Sequence, residues 1–311
     1  GRYAHFLPIW EQLRHTRVPP IETFIYEDLD SSLMQNRCTY LATCSDYWTT
    51  LNLLQAHVPA ANAPPDFAER GKLLVATSSA ARYMQAAQRE QVVRFAERGG
   101  TVVMKAFAGG EDPDRPGEAW LLLRRFGFAP PEGGVENSSY RRVRPVAGPV
   151  FGERPGDFVL RDLWRVGARE GEQVAAVLAD DAARVAVSWR SVGRGRVALI
   201  WAETVVPPFA AESHGATRPF FGDFARWAGV AQPAESDASR LWTNLLQADD
   251  GETWFGLVHA GHDGADVAGR VWWPLLPAGA YRVTELVGGR ELGTLDAARL
   301  RTGGVAVALQ P

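Results

Sequence analysis

The stretch from Lys72 to Lys105 allows few folds. KLLVAT, residues 72–77, is a short apolar run of the kind buried on both faces of a sheet. AARYMQAAQREQVVRFAERGG follows, in which Met84, Gln88, Val92 and Phe95 recur at three- and four-residue steps, and Gly99 stands where a helix C-terminal cap is expected. TVVMKA then reads as a second buried strand. Strand, helix and strand in that span make a βαβ unit, which requires parallel strands and a right-handed crossover. The spacing predicts a doubly wound α/β sheet.

The flanking segments extend this reading. Residues 1–20 form a lead-in whose FLPIWEQLRH is amphipathic, and VPPIETFIYED predicts a strand. SDYWTTLNLLQAH predicts a helix with Tyr47, Leu51 and Leu54 on its apolar side and Ser45 as N-cap. GEAWLLLRRFGF predicts a helix ending at Gly127. SYRRVRPV, EQVAAVLAD, ARVAVSWRS and GRVALIWAE predict short strands, and ATRPFFGDFARWAGV a helix that closes an α/β domain over 21–231. QPAESDAS reads as a linker. Residues 239–311 alternate strands and turns, with only DAARLR helical, and predict a small antiparallel β-sandwich.

Composition narrows function. With 311 residues, 46% of them hydrophobic, the chain buries a large core in one or two domains. A net charge of -3 with both signs interspersed gives no electrostatic case for nucleic acid or an anionic membrane. No apolar run is long enough to span a bilayer, and no charged-then-apolar leader opens the chain. A soluble protein is therefore expected; the chain opens on Gly1, as a fragment or processed chain would, so the missing leader does not choose between cytoplasm and exterior. Cys38 and Cys44 are the two cysteines; two buried free thiols are the commoner outcome at this spacing, and a disulfide requires a turn between them. Neither a metal site nor a cofactor is expected. HAGHDGAD, with His259, His262 and Asp263, reads as a turn that needs its glycines and Asp for backbone reasons.

The order of elements and several phrases resemble the glutamine amidotransferase-like domain, often called the trimerisation domain, of family 42 β-galactosidases. KLLVAT with its helix and AERGGTVVM is similar to that domain's core, GRGRVALIWAE to a later strand, and FARWAGV to its closing helix. YRVTELVGGRELG resembles the small β domain that ends such glycosidases. The resemblance implies a flavodoxin-like, class I amidotransferase-like sheet, an oligomer or an upstream catalytic domain as partner, and a thiolate at the turn after the TVVMK strand.

At that turn stand Lys105, Ala106 and Phe107, with no Cys or Ser to attack. Glu203 and His214 are the weak candidates for an unrecognised hydrolytic site near Lys105, since GRVALIWAE leads into no His-x-Glu pair. Retaining glycoside hydrolysis needs two carboxyls on a rigid frame, which a (β/α)8 barrel would supply; this chain has no such strand and helix series, so a barrel is expected upstream of Gly1. The expected role is non-catalytic, in assembly and active-site framing. Lys105 is expected to pair with Glu111, Asp112 or a partner domain.

Eleven tryptophans suggest an alternative, because an indole face stacks on a sugar ring. Trp189, Trp201 and Trp227 read as core. Trp272 and Trp273 are neighbours on a strand and point to opposite faces, so one of them at most is core. With Trp242 and Trp254 they make a candidate set for carbohydrate binding or for a domain or subunit contact. The basic run YRRVR, residues 140–144, reads as an edge strand protected by charge.

Overall fold

The structure is a computed structural model that describes residues 2–26, 49–50, 52–54, 56–78, 81–112, 114–115, 117–153, 157–205, 217–238, 241–260 and 266–309. It divides into two units, Glu22–Val230 and a second made of Gly1–Ile21 with Ala231–Pro311. Helix α1 (Arg2–Leu13) and strand β1 (Thr16–Arg17) therefore group with the C-terminal segment, where β1 pairs with a later strand.

The central unit runs β2 (Thr23–Ile25), β3 (Ala60–Asn62), α2 (Phe67–Arg70), β4 (Leu73–Ala76), α3 (Ala86–Glu97), β5 (Thr101–Lys105) and α4 (Leu121–Arg125). It continues with β6 (Val135–Pro145), β7 (Phe158–Trp164), β8 (Gln173–Leu178), β9 (Val185–Val192), β10 (Gly195–Ile200), β11 (Ala202–Val205) and α5 (Thr217–Trp227). These strands form one ten-stranded sheet in the order β11-β7-β6-β8-β9-β10-β5-β4-β2-β3. The half from β10 to β3 is parallel, with Val75 beside Val103 and Lys105 beside Ile200. The half from β9 to β11 is antiparallel. The sheet is thus mixed: the expected α/β character holds, the βαβ strands β4 and β5 are parallel, and antiparallel strands extend the sheet beyond β10.

The βαβ unit forms as its sequence requires. β4 is buried along its whole length, as is β5. Helix α3 starts at Ala86, later than the apolar pattern suggests, because Gln85 and Gln88 form a reciprocal cap: the Gln85 N–H donates to Gln88 Oε1 at 2.7 Å. Met84 is left outside the helix yet fully buried. Gly99, at φ +117°, closes α3 as expected, with Gly99 and Gly100 N–H donating to the Ala96 and Phe95 carbonyls at 3.0 Å each. On one face of the sheet Phe220, Phe221, Phe224 and Trp227 of α5 join Val75, Val103 and Ile200 in the core.

The terminal unit contains β12 (Glu235–Ser236), β13 (Leu241–Ala248), β14 (Trp254–Ala260), β15 (Val267–Trp272), β16 (Ala280–Glu285), β17 (Arg290–Asp296) and β18 (Val305–Leu309). They make antiparallel sheets β1-β13-β14 and β12-β15-β18 with the hairpin β16-β17. Ala234, Leu241, Leu245, Val271, Trp273, Leu276 and Leu300 form their common core.

Several expectations change. β6 is flanked by β7 and β8, so YRRVR is no edge. Its arginines are instead matched by carboxylates: Arg141 pairs with Glu136 at 2.8 Å and Asp180 at 3.0 Å, and Arg142 and Arg144 face Asp157 at 3.7 and 3.6 Å. The QPAESDAS segment is not a free linker, since Glu235–Ser236 pairs with β15 and Ala234 is fully buried. In the helical residues 52–54 Leu53 is buried while Leu54 is 42% exposed, which turns the face expected there by one residue. Tyr47, Ser45, Leu51, Cys38 and Cys44 lie outside the described residues, as do His262 and Asp263.

Candidate functional site

The carboxyl ends of β4 and β5 are where an open α/β sheet places its ligand or reacting group. Beyond β5 the chain makes a tight turn: Ala108 N–H donates to the Lys105 carbonyl and Gly110 N–H to that of Phe107, both at 3.0 Å. Gly109 N–H donates to the Ala81 carbonyl at 2.6 Å, and Leu122 N–H to that of Gly109 at 3.0 Å. Gly109 has φ +56°, and a Cβ there would press on Leu122 and Met84 at 2.7 and 2.8 Å, so glycine is required.

Two ion pairs brace this turn against α3 and the segment before it. Arg89 donates through Nη2 to Asp112 Oδ2 at 2.6 Å and through Nη1 to the Met84 carbonyl, and both side chains are buried. Asp112 also accepts from the Asp114 N–H at 2.9 Å. The Arg89 hydrogen bond holds the Asp112 carboxyl below its usual range, against the opposing effect of burial. Arg82 pairs with Glu111 at 2.6 Å. The two carboxylates expected to meet Lys105 are therefore engaged by arginines. Lys105 itself is 4% exposed and, by strand alternation, projects from the same face as Val103 and Ile200.

The turn has none of the geometry of a nucleophile. Ala106 is fully buried and Phe107 partly so. None of residues 105–108 adopts the positive φ that marks a strained strand-to-helix elbow. What occupies the position is an aromatic stack. Phe107 lies against Trp120 with ring centroids 4.3 Å apart and planes 26° apart. The Arg82 guanidinium sits over the Phe107 ring at 4.7 Å. Trp164, at the end of β7, meets Phe107 at 5.2 Å and Trp120 at 5.2 Å edge-on. All three rings are partly exposed. Trp120 has φ +64° and ψ +29°, a left-handed conformation that bulky residues rarely adopt. Neither Trp120 nor Trp164 is marked by the sequence: the first reads as helix, and the strand carrying the second has a broken alternation around Arg161 and Asp162.

The remaining candidates lie in other elements or outside the described residues. The Glu203 backbone lies in β11, its side chain is outside the described set, and His214 is outside it altogether. Trp273 faces the terminal core, in keeping with at most one of the adjacent pair being core, and Trp272 donates from Nε1 to Glu235 at 3.1 Å. Trp254 packs against the same core, whereas Trp242 stacks on His259 at 5.7 Å on the opposite face of β13-β14. Trp201 is fully buried and donates from Nε1 to Ser188 Oγ at 3.0 Å, which in turn donates to Glu172 at 2.8 Å. Burial pushes the Glu172 carboxyl up. Among the described residues no group of three or more His, Cys, Asp or Glu is placed to hold a metal, and no helix is long and apolar enough to cross a membrane.

A scan against protein-family models and a search of curated proteins return no match. Solved structures do match. Gan42B, a GH42 β-galactosidase from G. stearothermophilus, superposes with a TM-score of 0.62 at 16% identity over 94% of this chain and 39% of its own. A β-galactosidase from Rahnella sp. R3 gives 0.62 at 16% over 95% and 42%, and one from Bacillus circulans sp. alkalophilus 0.62 at 14% over 97% and 43%. At these identities the likeness is one of fold. The chain spans about two fifths of the length of these neighbours.

Proposed function

We propose that this chain is the non-catalytic assembly and framing portion of a β-galactosidase-like glycoside hydrolase, built on an amidotransferase-like α/β unit that has lost its reaction centre. The observation that carries the reading is the superposition: nearly all of this chain matches less than half of each β-galactosidase. The strand order β3-β2-β4-β5-β10 supports the finer assignment. In chain order it is second, first, third, fourth, fifth, the arrangement of flavodoxin-type sheets. The turn after β5 offers no hydroxyl or thiol, which fits a scaffold retained without its chemistry. Fold alone is a weak warrant for function, so the assembly role needs its own support. The terminal unit leaves Leu7 59%, Trp10 68% and Leu257 38% exposed, apolar surface of the kind that contacts bury. The partner is a second copy of the chain or a separate catalytic domain.

Light scattering across the size-exclusion peak of the 311-residue chain tests self-assembly. The expected mass is that of two or more chains; a monomer at micromolar concentration contradicts the homo-oligomer.

A further inference from the structure

We propose that the stack of Arg82, Phe107 and Trp120, with Trp164 at its edge, binds the apolar face of a hexose ring in a neutral oligosaccharide. The site lies wholly within the central unit and is distinct from the tryptophans of the terminal unit. Three observations converge. The rings sit at the carboxyl end of β5, the end at which α/β sheets receive ligands, on a turn fixed by the Arg89–Asp112 pair. Each ring remains partly exposed, although three aromatic side chains in mutual contact have every reason to bury themselves. Trp120 is held in a left-handed conformation, so the backbone tolerates strain to keep the indole in the stack.

The chemistry selects the ligand. With Arg82 over the Phe107 ring at 4.7 Å and Trp120 stacked on it at 4.3 Å, the two groups cannot share one face of the phenyl ring. Trp120 is thus the outer layer of a three-layer ladder, and the next layer is a flat or gently puckered apolar surface. A pyranose ring presents such a surface through its axial C–H groups. The Arg82–Glu111 pair beside the stack supplies donors and acceptors for ring hydroxyls. Arg82 is already balanced by Glu111, so this pair offers no net charge to favour an anion. Sugar contact at Trp120 is independent of the assembly reading, since it is measured by ligand titration and assembly by mass.

The test uses the full chain labelled with 5-fluorotryptophan, with the Trp120, Trp164 and Trp242 resonances assigned from Trp120→Phe, Trp164→Phe and Trp242→Phe. Titration with a β-1,4-linked galactotetraose is expected to shift both resonances saturably and to leave that of Trp242 in place. Trp120→Ala is expected to weaken binding by about tenfold. If that variant fails to fold, the unsubstituted chain decides by whether its Trp120 resonance moves. No movement with the tetraose overturns the proposal, as does undiminished affinity in a folded Trp120→Ala. Movement with uridine but not with the tetraose also overturns it, assigning the stack to a planar base.

Discussion

Arg89 and Asp112 show how much of the turn's rigidity rests on one buried contact. Removing one partner leaves a buried charge uncompensated, so Asp112→Asn and Arg89→Met should each cost about 3 kcal/mol in urea unfolding. Replacing both, as Arg89→Met with Asp112→Leu, should recover most of that loss, because the desolvation cost disappears with the charges. The pH dependence has a definite sign. The folded-state pKa of Asp112 is depressed, so its stabilisation is present above the ordinary carboxylate value, about 4, and is lost as pH falls below it toward the folded-state value. The Asp112→Asn variant should therefore lose less stability than the parent on acidification over that range. Lys105 was legible as an oddity, one of two lysines among 33 basic residues, but its surroundings were not. Sequence proximity nominated Glu111 and Asp112, whereas folding brings Arg82 and Arg89 to them from before and within the preceding helix.

At the level of elements, the glycines in GRGRVALIWAE carry the clearest consequence. The β9-β10 turn packs backbone to backbone on the turn between α3 and β5: Arg194 N–H donates to the Glu97 carbonyl at 3.0 Å, and a Cβ at Gly195 would run into the carbonyl oxygens of Ala96 and Gly100. Gly195→Ala should cost about 1–3 kcal/mol, measured by denaturant midpoint, whereas Gly134→Ala, with open space around its Cβ, should stay within about 0.5 kcal/mol. The Trp201–Ser188–Glu172 chain ties the segment before β8 to β9. Burial raises the folded-state pKa of Glu172, so the protonated acid is the stabilising form, and its contribution fades as pH rises through that value. Glu172→Gln should accordingly gain stability relative to the parent above the carboxylate range and lose that advantage below it. Periodicity alone revealed β4, α3 and β5, because helix and strand periods change sharply at Gly99. It missed β7, where Asp162 at φ +57° interrupts the alternation, and it misjudged β6. Arginines on an interior strand look like edge protection until their carboxylate partners, up to 39 residues away, are brought beside them.

At the scale of the molecule, the two units differ in how they were written. The central sheet begins with local βαβ logic and ends in antiparallel strands whose order no local pattern states. The terminal unit draws on both ends of the chain, β1 pairing with β13, so the reading of residues 1–20 as a separate lead-in could not anticipate their grouping. The superposition on solved β-galactosidases is one of fold, and it supports the proposed reading of a non-catalytic scaffold in which the turn after β5 carries stacked aromatic rings. That claim is tested most directly by assaying the purified 311-residue chain for hydrolysis of a nitrophenyl β-galactoside, alongside Lys105→Ala. The account predicts no turnover above buffer by either protein; turnover by the parent chain that Lys105→Ala abolishes would contradict it.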